Sequence, residues 1–336
     1  MTVESVYFDM GTKNRSFLDT HHYLKKKGIL NNNFFLLLRD KDLHGIDPRD
    51  PSLDLDMKQK IFKECMNNYW YFLREIVRIP IPGGYSEYKL DRGLLAFNFG
   101  LVNNFSLMVD LPTQCGKNIT IDTRVLWEYL FHNQYSAVFI DRDKSNSKMD
   151  LQRIKGIYEL LPSYLKFKDI CKDKTLHIKD KTNYIRISNK PRTKSTAENI
   201  ARGYTQCRQI FTDFQLLPYN EILFQVSRPA AYTAGLDAEK NNIPFGTVLL
   251  TSGGDIDTKP AQFADKLRES SIKFSEKCYD ANPDMLNEYM ECFSLIMYIR
   301  FDAFDLQKSN EWITTRLLDM NKDWKRFMRE IFIQWR

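Results

Sequence analysis

Between Phe105 and Leu130 the chain reads FSLMVDLPTQCGKNITIDTRVLWEYL, and this stretch most limits what the chain can fold into. Phe105, Leu107, Met108, Val109 and Leu111 form an apolar run of strand length. Pro112 to Asn118 is a short loop containing Gly116 and Lys117. Val125, Leu126, Tyr129 and Leu130 then recur at helical spacing. A buried strand that turns through Gly-Lys into a helix presents backbone N–H groups and the positive helix end to an anion. Lys117 would reach the β- and γ-phosphates of a nucleotide. The full phosphate-loop pattern is Gly-x4-Gly-Lys-Ser/Thr, and this loop carries its second half. It has no first glycine, and Asn118 stands where a hydroxyl would hold magnesium. The competing reading is a surface turn with a solvated lysine.

Such a unit needs a sheet around it, and the rest of the chain supplies one. Apolar strands are expected at Ser136 to Ile140, Arg208 to Phe211, Thr247 to Thr251 and Leu295 to Phe301, alternating with helices at 149–161, 195–201, 218–239, 260–274 and 283–293. Alternation of this kind predicts a mainly parallel sheet with right-handed crossovers, flanked by helices. Ligands on such sheets bind at the carboxyl ends of the strands. The strand ends at Pro112, Asp141, Asp213 and Thr251 are therefore expected to converge. A long helix is expected over 55–77, its aromatics Phe62, Tyr69, Trp70 and Phe72 packing the core. A short basic helix is expected over 22–30, and a closing amphipathic helix over 312–335. Residues 166–194 are rich in lysine, with Leu176, Ile178, Tyr184, Ile185 and Ile187 in alternation, which suggests a small charged hairpin.

Composition excludes several alternatives. Six cysteines are scattered over 336 residues with no CxxC and no Cys/His cluster, which argues against structural zinc and a disulfide framework. No apolar run reaches the roughly 18 residues of a membrane span, and the N-terminus does not read as a signal peptide. The net charge of +6 is compatible with nucleic acid and does not by itself indicate it.

Phosphoryl transfer needs magnesium held by an acid and a group that orients the attacking water. In phosphate-loop enzymes both commonly end one apolar strand. Here that strand reads Gln209 to Phe214 (QIFTDF), with a single carboxylate. Either Asp213 is the magnesium-side acid and Phe214 stands at the water-orienting position, or Thr212 stands on the magnesium side and Asp213 orients water. Thr251 and Ser252, after another apolar strand, would hydrogen-bond a γ-phosphate.

The order of these pieces resembles the N-terminal ATPase domain of the large terminase subunit of tailed phages, the DNA-packaging motor. The residues that carry the resemblance run from Asn68 to Pro80 (NYWYFLREIVRIP), from Leu111 to Asn118 (LPTQCGKN) and through Ala201-Arg202-Gly203. They continue from Ile210 to Pro218 (IFTDFQLLP), from Leu249 to Gly254 (LLTSGG) and from Trp324 to Trp335 (WKRFMREIFIQW). Their order and spacing, from about residue 24 to the end, is more specific than any one of them.

The resemblance implies an α/β, P-loop NTPase-like fold of the ASCE/RecA-like kind. It implies an N-terminal extension over 1–60 and an ATPase domain over 61–336, with a lysine-rich hairpin insertion near 166–194. No nuclease domain is expected here, so the chain would be the ATPase part of a longer protein or a subunit whose nuclease lies elsewhere.

The resemblance also implies ATP and Mg2+ as cofactors, bound by Pro112, Thr113, Gln114, Cys115, Gly116, Lys117, Asn118, Thr251 and Ser252. Aligning Leu216-Leu217-Pro218 with the family's Phe-Ile-Pro puts Asp213 on its catalytic glutamate and Thr212 on its magnesium-side aspartate. Asn118, Thr212 and Asp213 are then the metal-side residues, and Asp213 and Lys117 the catalytic ones. Thr113 stands where the family has a loop arginine. Arg202, then Arg142 and Arg228, are the candidates for an arginine acting on a neighbouring subunit. The implied partners are double-stranded DNA, a portal protein, the small terminase subunit and further copies in a ring, a pentamer. The implied location is the viral procapsid in the host cytoplasm. A degenerate, non-hydrolysing scaffold and another P-loop enzyme such as a helicase are the alternatives.

Overall fold

The computed structural model of this protein describes residues 7–141, 143–168, 170, 177–179, 182–188, 191–292 and 295–336. Two short antiparallel pairs lie on the outside, β1 (Tyr7–Phe8) with β2 (Leu37–Leu38) and β3 (Arg78–Ile81) with β4 (Gly84–Glu87). The central sheet is built from β5 (Leu107–Asp110), β6 (Ser136–Ile140), β7 (His177–Lys179), β8 (Tyr184–Ile187), β9 (Arg208–Phe211), β10 (Gly246–Thr251), β11 (Ile272–Lys273) and β12 (Met297–Arg300). Its order is β11-β12-β5-β10-β9-β6-β8-β7. Every neighbouring pair is parallel except β7 with β8.

This is the expected α/β fold, a mainly parallel sheet flanked by helices, with the strand that leads into loop 112–118 separated from the strand that ends before Asp213 by β10 alone. Strands β5, β9 and most of β6 and β10 are buried along their length, because helices cover both faces. That burial is why they read as continuous apolar runs. Register is fixed strand by strand: Thr251 pairs with Asp110, Leu249 with Phe211, and Ile140 with Phe211. The residues that follow emerge together at one edge of the sheet.

Several elements differ from expectation. The helix expected over 55–77 breaks at Asn68. Helix Leu55–Asn67 ends there, a turn at Tyr69–Tyr71 follows, and Phe72–Ile76 forms a π-helical turn. Asn68 takes an extended backbone, and its side chain accepts from Tyr71 N while donating to Leu37 O and Glu64 Oε1. A buried amide with that many partners outcompetes helix continuity. The first helix is Arg15–Lys26 rather than 22–30, closed by Gly28 at φ 77. The tail of the helix expected over 260–274 is instead strand β11.

The closing helix is two helices, Asn310–Asp319 and Trp324–Ile331, each capped by its own side chain, Ser309 and Asp323. The charged hairpin exists as β7–β8, but β8 also pairs with β6, so the hairpin forms the edge of the main sheet. Lys179 is exposed on β7, while Lys172, Lys174 and Lys181 lie outside the described residues. Residues 7–60 pack into the same apolar core as the sheet, through Phe17, Leu24, Phe35, Leu36 and Leu38.

Candidate nucleotide-binding site

The loop after β5 forms because two of its residues accept left-handed backbone. Gln114 lies at φ 61 and Gly116 at φ 87. Gly116 is the N-cap of helix Lys117–Phe131, and its carbonyl receives Thr120 N at 2.9 Å and Thr120 Oγ1 at 3.0 Å. A Cβ at Gly116 would lie 3.2 Å from Leu94 Cδ1, so conformation and space both favour glycine. The free N–H groups of the first helical turn thus face the carboxyl edge of the sheet, as an anion site requires.

Lys117 crosses that edge. Its Nζ donates to Leu111 O at 3.0 Å, to Thr251 O at 2.5 Å and to Ser252 Oγ, so the ammonium ties the end of β5 to the end of β10. The side chain is buried. Burial lowers its pKa from the usual lysine value, while Asp213 and Asp110 nearby oppose the shift. Pro112 and Cys115 are buried in the loop, and burial pushes the Cys115 thiol up to about 11, so it is no thiolate at neutral pH. Gln114 is exposed and its Oε1 accepts from Arg316 Nη1. Thr113 N bonds Glu330 O at 3.1 Å, and Thr113 Oγ1 is buried without a partner. A hydroxyl of this kind, facing the loop, is an unused donor for a phosphate oxygen.

Asp213 follows β9 at φ 47, ψ 45 and is half-buried, in a left-handed conformation uncommon outside glycine, asparagine and aspartate. Thr212 Oγ1 donates to Asp141 Oδ2 at 2.5 Å. Burial raises the Asp141 carboxyl, and Asp213 adds to that by repulsion. Asn118 is the second residue of the helix and half-buried. The structure therefore brings Lys117, Thr251, Ser252, Thr212 and Asp213 to one edge with the loop.

The arginine candidates lie elsewhere. Arg202 is exposed at the end of helix Lys194–Arg202, which runs back towards the amino ends of the strands. Arg228 lines a cavity of about 700 Å³ at those amino ends, among Asn104, Phe105 and Gly246. Arg142 lies outside the described residues. Neither described arginine is on the loop side of its own chain.

Two residues at the site, Asp110 and Arg316, were not singled out from sequence, and a third, Asp141, was named only as one of the converging strand ends. Asp110, fully buried at the end of β5, accepts from Gly253 N at 2.7 Å, Tyr298 OH at 2.9 Å and Trp335 Nε1 at 2.8 Å. An acid ending an apolar strand was its available signal. Asp141 carried the same signal and was read as a strand end. Arg316 comes from helix Asn310–Asp319, 202 residues from its partner Gln114, and nothing local marks it.

The chain resembles phage large terminases in structure. It is similar to the large terminase ATPase domain of Thermus phage P74-26, with TM-score 0.48 and 14% identity over 73% of this chain and 93% of that one. It is similar to the HK97 bacteriophage large terminase, with TM-score 0.49 and 10% identity over 80% of this chain and 54% of that one. The large terminase of a thermophilic bacteriophage gives TM-score 0.44 and 12% identity, over 68% of this chain and 49% of that one. No protein-family model and no curated protein matches the sequence. No described helix is long and apolar enough to cross a membrane.

Proposed function

We propose that this chain binds ATP with Mg2+ at loop 112–118 and hydrolyses it, as the motor domain that drives double-stranded DNA into a viral procapsid. One observation carries the nucleotide reading. The Lys117 ammonium, at the start of a helix capped by left-handed Gly116, bridges the ends of β5 and β10 beside Asp213. An incoming γ-phosphate would replace Thr251 O and Ser252 Oγ as its partners, relieving a buried ammonium that now rests on neutral groups. Backbone N–H groups of residues 115–118 and the Thr113 hydroxyl would receive the other phosphate oxygens.

The residues at the edge fit a hard divalent cation: Asn118 offers a carbonyl, Thr212 a hydroxyl, Asp213 a carboxylate. Magnesium would neutralise charge on the β- and γ-phosphates. Asp213 would accept a hydrogen bond from the attacking water and orient it. Thr251 and Ser252 would register loss of the γ-phosphate and pass it to β10. Translocation, the ring of copies and the portal and small-subunit partners are supported by the order of sequence motifs from residue 68 to residue 335. Arg202, facing away from its own loop, suits a role on a neighbouring subunit in such a ring.

The test is ATP hydrolysis with and without duplex DNA. Wild type is expected to turn over and to be stimulated by DNA. Lys117→Ala is expected to lose turnover through loss of binding, and Asp213→Asn to lose it with binding retained. Turnover unchanged in both variants would refute the assignment. Nucleotide binding that depends on Lys117 without turnover would point to a site completed by a neighbouring subunit, and no binding in any variant would favour the scaffold reading.

A further inference from the structure

The proposed site has a charge missing. Position 212 carries a hydroxyl where a divalent cation needs a carboxylate, and Mg2+ is generally held by one or two carboxylates together with the phosphates.

The register of the sheet supplies a replacement. Strands β6 and β9 run parallel with Ile140 opposite Phe211, so Asp141 and Thr212 leave the sheet side by side. Adjacent strands are about 4.8 Å apart. Thr212 N bonds Ile140 O at 2.9 Å, which keeps the two chains in step past the last paired residues. Thr212 Oγ1 donates to Asp141 Oδ2 at 2.5 Å. The other oxygen, Oδ1, accepts from Asp143 N at 2.8 Å and Asn146 Nδ2 at 3.5 Å. These partners are neutral. Asp141 is 6% exposed, and among the described residues it has no ion-pair partner. A nearly buried carboxylate without a cation is unfavourable unless something charged joins it. Asp141 and Asp213 follow the ends of the neighbouring strands β6 and β9 at the carboxyl edge.

We propose that Asp141 is the carboxylate that holds the divalent cation of the bound nucleotide, the charge having moved one strand across the sheet from position 212. This rests on the nucleotide reading above. Thr212 then orients Asp141 by donating its proton to Oδ2. Asn118, Thr212 and Asp141 offer an all-oxygen donor set of the kind Mg2+ takes. It also divides the labour between the two acids. Asp141 serves the cation, which leaves Asp213 free for water.

The affinity of a fluorescent ATP analogue, measured on the full chain with Mg2+ and with EDTA, tests the assignment without reading turnover. Wild type is expected to bind at least tenfold more tightly with Mg2+. Asp141→Asn is expected to lose that enhancement while keeping the EDTA affinity. Asp213→Asn is expected to keep most of it. Moving the charge back, in the double variant Asp141→Asn with Thr212→Asp, is expected to restore it, which a purely structural role for Asp141 would not do. Asp141→Ser, a smaller side chain that still pairs with Thr212, is a second variant for which the same loss is expected if Asp141→Asn folds poorly.

Full Mg2+ enhancement in a folded Asp141 variant overturns the proposal, as does a double variant that recovers nothing. A wild-type chain that binds no nucleotide, or a Lys117→Ala chain that binds it as well as wild type, overturns the nucleotide reading itself and this assignment with it.

Discussion

Gly116 and Asp213 both hold left-handed backbone, and for opposite reasons. At Gly116 the conformation suits the residue, so Gly116→Ala should cost about 1–2 kcal/mol in stability, measured by urea unfolding, and should weaken nucleotide binding further by crowding Leu94. At Asp213 the conformation strains a non-glycine residue, φ 47. Asp213→Gly should therefore raise the unfolding midpoint slightly while lowering turnover by about 10²–10⁴-fold, the usual worth of a positioned acid–base group. A turnover rate left intact in that variant would remove Asp213 from the chemistry. Asparagine tolerates positive φ, so Asp213→Asn tests the charge without disturbing the turn. Gly116 and Lys117 were legible in sequence because the dipeptide sits between an apolar strand and an amphipathic helix. Asp141 was visible only as a strand end, since its meaning depends on which strand lies beside it. Register, not composition, makes it a neighbour of Thr212.

The end of β5 is joined to β12, to the turn after β10 and to the C-terminal segment through one carboxylate. Asp110 receives Tyr298 OH, Gly253 N and Trp335 Nε1 while fully buried. Asp110→Ala should cost at least about 2 kcal/mol, because two buried donors and the half-buried Trp335 indole lose their acceptor; equilibrium unfolding would show it. The turn at 252–254 is also clasped by the C-terminal segment. A Cβ at Gly254 would overlap the Trp335 ring at 2.4 Å, and Gly254 forms a parallel bridge with Trp335. The closing helix was misread as continuous because apolar spacing persists across residues 320–323. The breaks are set by positive φ at Asn321 and Lys322 and by the Asp323 cap. Helix Lys117–Phe131 carries a titrating group at its far end. Burial pushes the His132 imidazole down to about 4 from an ordinary 6.5. The unfolded chain then takes up the proton first as pH falls. Stability from this group is full above pH 6.5 and declines as pH falls towards 4, by about 2 kcal/mol at pH 5. Replacing it, His132→Gln, should lower the acid sensitivity of the melting temperature between about pH 7.5 and 5.

At the scale of the whole molecule, the alternation of apolar strands with helices predicted a parallel sheet, and the sheet is parallel in every pair but one. Buried strands are short and uninterrupted, so their apolar runs identify them directly. The strand order was not legible, because it is set by which helices cross which face. That order builds the candidate site by placing β10, with Thr251 and Ser252 after it, between β5 and β9. It also turns Arg202 and Arg228 to the opposite end of the sheet, so a chain acting alone should hydrolyse slowly. Turnover per chain should rise with protein concentration if a neighbouring copy completes the site, and a rate per chain independent of concentration would oppose it. The most direct test of the central claim is calorimetric titration of a non-hydrolysable ATP analogue, with Mg2+, into wild type and Lys117→Ala. The account predicts one site per chain in wild type and affinity at least about 100-fold weaker in the variant, the scale of losing a buried charge-assisted contact. Equal affinity in the two proteins, or no heat of binding in wild type, would contradict it.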